Sequence, residues 1–365
     1  MPRPLTAHVD LAALRHNHAR VRQLARGARI LSVIKANAYG HHARLCAPAL
    51  DTDGFALLTL EEAQTVRALG LDVPILLLEG FFSPADLPHV KALAATPVIH
   101  DAEQVRMLEC APALAPAQVF LKIDSGMHRL GFAPTDALNA LVRLQAITTI
   151  QSVTLMTHYA SADAPDGTAE AASVMEALRA RQPAISALPT SYANSAALLA
   201  AQAFPDSAPP ALGDWVRPGI MLYGCSPIET ASAASLGLQP VMRLASELIS
   251  VRTVPAGEGI GYGAAFRADH AMRIGVVACG YADGYPRHAG TGTPIVVDGN
   301  RTRVLGRVSM DMLCVDLDSV PGAAVGTPVE LFGPALSADE VARAAGTVSY
   351  EILTGIAARV PIQCG

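Results

Sequence analysis

The sequence predicts a (β/α)₈ barrel followed by a mainly β domain. Three observations carry this. Short β-like runs alternate with helical stretches over about the first 225 residues. After Tyr223 the helices thin out while strands continue. Polar side chains collect where the early strands end.

The β-like runs come in order as Ile30 to Ile34, Gly54 to Leu57, Val73 to Leu78, Pro97 to His100 and Gln118 to Asp124. Ser152 to His158, Leu188 to Ala193 and a run around Asp214 to Arg217 complete eight. Asp10 to Arg26, Leu60 to Leu69, Ala102 to Leu114 and Ala169 to Gln182 read as helices. Eight such units suggest a closed barrel, whose active site lies at the carboxyl ends of the strands. Ala231 to Gly237 is small and polar and reads as a linker. Beyond it, Ala245 to Val254, Met272 to Cys279, Thr293 to Val297, Arg303 to Gly306, Leu313 to Leu317 and Thr327 to Leu331 are strand-like, with helix expected only from Ser337. The domains are therefore expected at 9–229 (barrel) and 230–365 (β domain), with residues 1–8 joining the latter.

Of the 365 residues, 51% are hydrophobic and 16% charged, which describes a core-rich globular chain. The net charge of -5 gives no electrostatic reason to expect nucleic acid or an anionic membrane as partner. No window spans a bilayer, the N-terminus lacks a signal-peptide core, and a cytoplasmic protein is expected. The six cysteines are scattered without a Cys-x-x-Cys pair, so neither a metal site nor a disulfide frame is expected.

Lys35 ends the first apolar run, and a desolvated amine there can hold a carbonyl compound as a Schiff base. Lys122, Arg129, His158, Asn194-Ser195 and Arg217 fall at the ends of four other strands. Five strands each presenting such a group is hard to explain by packing alone. Ser195 can start a helix, and Gly219 and Ile220 after Pro218 can offer free amides, so the seventh and eighth loops suit a phosphate. Arg217 follows Trp215-Val216 and needs an acceptor if buried; a ring nitrogen would serve. Gly257, Gly259, Gly261 and Gly263 surround Tyr262, but no helix follows, so a dinucleotide loop is excluded.

These segments together resemble the alanine racemase family. The barrel contributes Val33-Ile34-Lys35-Ala36-Asn37-Ala38-Tyr39-Gly40-His41, Lys122 to Met127, Ala193 to Ala197 and Trp215 to Ile220. Gly261 to Ala264, Gly280 to Tyr285, Gly306 to Asp311 and Ser349 to Leu353 follow in the family's order. The resemblance implies pyridoxal 5'-phosphate as cofactor, alanine as substrate, and a head-to-tail homodimer with shared sites. It implies that Lys35 is the Schiff-base lysine. Tyr39, Ser195, Gly219, Ile220 and Tyr350 would hold the phosphate, and Arg217 would meet the pyridine nitrogen. Arg129 would reach the ring hydroxyl and the substrate carboxylate, positioned by Lys122, which this family often carries carbamylated. The Met310 amide would meet the same carboxylate, and Tyr281 with Tyr350 would narrow the access channel. His42 where glycine is commoner, Ser191 where some members have histidine, and Ser309 where cysteine is common are departures.

Racemisation needs a proton-transfer group on each face of a planar intermediate. Lys35 would supply one face and Tyr262, from the partner subunit, the other. Tyrosine normally titrates at about 10 and lysine at about 10.4, so nearby positive charge is expected to assist, with His158 linked to Arg217 as its source for Tyr262. Competing readings are a serine or broader-specificity racemase, a decarboxylase of the same fold, and a non-catalytic pyridoxal-phosphate carrier. Arg217 argues against the decarboxylase, and the β domain against the carrier.

Overall fold

The computed structural model describes residues 3–365. Strand β1 (Thr6–Val9) comes first, and Asp10 then caps the helix Leu11–Leu24 by accepting from the Ala12 and Ala13 amides. Eight parallel strands follow: β2 Arg29–Val33, β3 Gly54–Leu57, β4 Ile75–Leu77, β5 Ala95–Ile99, β6 Gln118–Lys122, β7 Ser152–Met156, β8 Thr190–Ser191 and β9 Trp215–Val216. They close into a barrel, with Arg29 opposite Trp215 and Ile30 opposite Val216 at the seam. Residues Ile30 to Val33, Gly54 to Leu57 and Ile75 to Leu77 are all buried, as expected of strands covered on both faces.

Prolines shorten several expected elements. The seventh run contracts to Thr190–Ser191 after Pro189, and the eighth to Trp215–Val216 before Pro218. A proline has no amide to give a ladder. The expected helix from Ala102 to Leu114 stops at Cys110, ahead of Pro112.

The second domain comprises β10 Met242–Val254, β11 Gly259–Ile260, β12 Phe266–Arg267, β13 Met272–Val277, β14 Pro294–Val297, β15 Asn300–Leu305, β16 Leu313–Asp316, β17 Pro328–Phe332 and β18 Ile362–Cys364. The long β10 pairs with β17 through its first half and with β13 through its second. The path β10–β13–β16–β15–β14–β17 therefore returns to β10 and leaves few free edges. β1 joins this sheet between β10 and β18, so the chain enters the barrel from the β domain. One hydrophobic core runs through both parts, and helix Ser349–Thr354 of the β domain reaches the barrel mouth.

Candidate active site

Strand β2 ends at Val33, so Lys35 does not close it as the sequence suggested. The lysine instead opens a left-handed turn. Ala36, Asn37, Ala38 and Tyr39 have φ of 53°, 54°, 56° and 50°. Such a conformation costs roughly 1–2 kcal/mol per non-glycine residue, so neighbours must hold it. Glu62 accepts the Ala36 amide at 2.7 Å, and Asn37 Oδ1 accepts the Ala43 amide at 2.9 Å. The buried His41 ring places Nδ1 2.9 Å from the Tyr39 carbonyl. Burial lowers the His41 pKa to about 4, so the ring is neutral and donates there. Tyr223 donates to the Val33 carbonyl at 3.0 Å and stacks on Tyr39 with centroids 4.7 Å apart. Gly40 closes the turn against helix Ser349–Thr354, where a Cβ would lie 2.1 Å from the Leu353 carbonyl oxygen.

Lys35 lines a cavity of about 880 Å³ at the carboxyl ends of the strands. Tyr39, Lys122, Arg129, His158, Ser195, Arg217, Gly219, Ile220 and Tyr350 line it too, so the structure gathers these expected residues in one place. Asn194, rather than Ser195, is the N-cap of helix Ser195–Ala203, its Oδ1 accepting from the Ala197 amide. Ser195 is the first helical residue, where the opening amides have no intrahelical acceptor. The Gly219 amide is not free as expected: it donates to Ser195 Oγ at 2.8 Å. A Cβ at Gly219 would lie 2.5 Å from Tyr39 Oη, so only glycine leaves this cradle open. Burial raises the Tyr39 pKa to about 12, which keeps its hydroxyl a donor.

Arg217 is buried on the cavity floor with no carboxylate partner among the described residues. Its terminal nitrogens donate to Ser191 Oγ and to the Thr157 and Tyr192 carbonyls. Ser191 Oγ donates in turn to the Trp215 carbonyl at 3.0 Å. Nε–H and the second N–H of Nη1 make no hydrogen bond with the described residues and are the donors left for the cavity that Arg217 lines. Burial pulls the Arg217 pKa down to about 10, leaving it charged at neutral pH.

The sequence reading linked His158 to Arg217 as a source of positive charge for Tyr262. The structure shows no hydrogen bond between His158 and Arg217. Burial, then the cations Arg217 and Lys122, push the His158 pKa down to about 3, so the ring carries no charge. Arg217 directs its bonds elsewhere, and His158 Nε2 lies 3.4 Å from Asn194 Nδ2. Lys122 is buried, and burial with Arg129 and Arg217 nearby lowers its pKa to about 8. Arg129 stands exposed on the rim.

Tyr262, Tyr281 and Met310 do not line the cavity of their own chain. Tyr262 is 71% exposed at the tip of the β11–β12 hairpin. Beneath it, Val254, Ile260, Met272, Ile274 and Leu305 form a small separate core that fixes the hairpin's base. Tyr281 and Met310 share one edge of the β domain, because the Tyr281 amide donates to Ser309 O and the Ala282 amide to Met310 O. Buried Asp283, gripped by Arg3 and Arg359, braces that edge, with Arg359 also reaching Asp311. Sequence reasoning missed Glu62 and His41. His41 stood in the lysine segment, and Glu62 closes a Thr59-x-x-Glu62 capping box, a signal that reads as an ordinary helix start.

An amine that shares a cavity with a helix N-terminus, and with a charged arginine that has no carboxylate partner among the described residues, suits a phosphorylated aldehyde bearing a ring nitrogen. The class so defined is a barrel enzyme that carries pyridoxal phosphate. The family model for alanine racemase, N-terminal domain, matches residues 9–227, and that for alanine racemase, C-terminal domain, residues 241–364. The chain is 50% identical over 361 residues to an alanine racemase of Nitrosospira multiformis, covering 99% of each. The crystal structure of the biosynthetic alanine racemase from Pseudomonas aeruginosa superposes with a TM-score of 0.93 at 47% identity, covering 100% of this chain and 99% of that one. That of Bartonella henselae alanine racemase with covalently bound pyridoxal phosphate gives 0.86 at 25% identity over the full length of both. The chain belongs to the alanine racemase family, which consists of pyridoxal-phosphate-dependent isomerases.

Proposed function

We propose that this protein racemises alanine with two proton-transfer groups, Lys35 on one face of the substrate and Tyr262 of a partner subunit on the other. The observation that carries this is the separation of the two: Lys35 lines the cavity, while Tyr262 stands in solvent outside its own chain's cavity. An aromatic ring held out on a fixed base is what a neighbouring copy would cover. Exposed Met310, Met312 and Tyr281 on the β domain and Phe82 and Val348 at the barrel mouth give that copy apolar surfaces to bury. The dimer is accordingly a two-fold pairing that brings each β domain to the other's barrel.

Tyr39, Ser195, Gly219, Ile220 and Tyr350 would hold the phosphate, and Lys35 would take the aldehyde. When bound, pyridoxal phosphate supplies the electron sink that makes the α-proton of an amino acid removable. Arg217 would offer a free N–H to the ring nitrogen and, releasing no proton near neutral pH, would leave that nitrogen unprotonated. Arg129 and the Met310 amide of the partner would orient the substrate carboxylate. Tyr281 and Tyr350 would exclude larger side chains. Lys122, with its lowered pKa, would add as a neutral amine to carbon dioxide, releasing one proton. The resulting carbamate would sit between Arg129 and Arg217. Among the described residues no helix is long and apolar enough to cross a membrane; a cytoplasmic place of action is part of this proposal.

Incubation with L-alanine, L-serine and L-lysine, followed for chirality and carbon dioxide, tests the reading. Loss of chirality with alanine, little with serine and no gas from lysine is expected. Gas release, or faster turnover of serine, would replace it with one of the rivals. Arg217→Glu should raise the share of transamination products, read by mass spectrometry of the keto acid; an unchanged product ratio would remove that role from Arg217.

A further inference from the structure

We propose that Glu62 is a positioning residue that holds the Lys35 turn in register with the cavity. Its single carboxylate accepts from backbone amides of two different barrel loops. Oε1 takes the Ala36 amide at 2.7 Å, in the residue directly after Lys35. Oε2 takes the Leu58 amide at 2.9 Å and the Thr59 amide at 3.4 Å, at the end of the neighbouring strand. The left-handed turn closes on itself from its later amides, Ala38 donating to Ile34 and Gly40 to Ala36. Its first amide, at Ala36, has no such acceptor and is held by Glu62. Glu62 sits in the first turn of helix Leu60–Ala68, two residues after its start, where the helix backbone sets the direction of its side chain; the Thr59 cap takes only its amide, at 3.2 Å. Both loops emerge from adjacent paired strands, Val33 lying opposite Ala56. The carboxylate thus ties the lysine's backbone to the barrel rim, without touching the cavity itself.

This rests on Lys35 being the amine that takes the cofactor. Only two acceptor oxygens in a fixed fork can serve both loops. In Glu62→Gln one of them becomes an NH₂ that faces a backbone N–H, so one loop is released whichever way the amide turns. Thr59→Ala is the control: it removes the helix cap while leaving both carboxylate oxygens in place.

The experiment uses the holoenzyme. Hydrogen exchange of the peptide spanning residues 35–40 is measured together with kcat and KM for alanine and with thermal stability. Glu62→Gln should exchange faster in that peptide and lose kcat by about 10- to 100-fold with KM within about twofold, the scale expected when a reacting group is displaced. Thr59→Ala should lower stability and leave both readouts near wild type. Glu62→Asp, which keeps the charge but shortens the reach, takes the place of Glu62→Gln should the latter not fold, and should show the same pattern. Wild-type exchange and kcat in the Glu62 variants, a loss in only one of these readouts, or equal losses in Thr59→Ala, would overturn the inference. Borohydride reduction of wild type, with the labelled peptide identified, separates the two claims. Label away from Lys35 removes the lysine reading, and this inference with it. Label on Lys35 beside unaffected Glu62 variants removes this inference alone.

Discussion

The two segments proposed to carry the proton-transfer groups are built in opposite ways. The Lys35 turn is strained, half-buried and gripped on every side, by Glu62, His41, Tyr223 and the helix at Leu353. The Tyr262 hairpin also has left-handed residues, at Gly261, Gly263 and Ala264, but its tip touches little and its ring lies in water. One segment is finished within the chain. The other is anchored at its base and left open at its end. On the proposed reading, the chain folds half a site completely and offers the other half to a partner.

The sharpest way to break that contrast is at Tyr262. Tyr262→Phe should lower racemase kcat by about 10²–10⁴-fold, the range for loss of a general acid–base group. It should leave the melting temperature unchanged, since the side chain is 71% exposed and its hydroxyl makes no hydrogen bond with the described residues of its own chain. Activity within a few-fold of wild type, by a coupled D-alanine assay, would remove Tyr262 from the mechanism.

Glycine substitutions sharpen the comparison at intermediate size. Gly40 (φ 80°) would place a Cβ 2.1 Å from backbone, whereas at Gly263 (φ 70°) the nearest atom is 3.6 Å away, on the Arg307 side chain. Gly40→Ala should cost roughly 3 kcal/mol or more, and Gly263→Ala about 1 kcal/mol, by urea unfolding. Equal costs would mean that the turn is not the tighter of the two.

The smallest effect is on acid stability. His41 is held neutral, with its pKa lowered from 6.5 to about 4. The unfolded chain therefore binds the proton more readily between those values. Its contribution is fully present above about pH 6.5 and is lost progressively as pH falls toward 4. The urea midpoint should drop between pH 7 and pH 5, and His41→Gln should flatten that drop. An unchanged slope in the variant would assign the acid sensitivity elsewhere, His158 being the next candidate.

Much of this was legible in the sequence, for stated reasons. Alternation of apolar runs and helices exposed the barrel, because parallel strands buried on both faces read as short continuous apolar segments. Lys35, Arg217 and Ser195 were visible because each follows such a run. The left-handed turn was not, because Ala36, Asn37 and Ala38 carry no signal for positive φ; the conformation is imposed by contacts from residues 62, 223 and 353. His158 was misread because its charge depends on burial and on two nearby cations, neither of which spacing reveals. The amide of Gly219 was expected to be free, and its bond to Ser195 Oγ depends on two loops meeting in space.

The central claim is a site completed by a second copy, and subunit mixing tests it most directly. Lys35→Ala and Tyr262→Phe proteins, each nearly inactive alone, are mixed, exchanged and assayed for D-alanine. Random pairing makes half the dimers hybrid with one intact site each, so about a quarter of wild-type activity should return. A mixture no more active than its parents, once hybrid dimers are shown to have formed, would contradict the shared site.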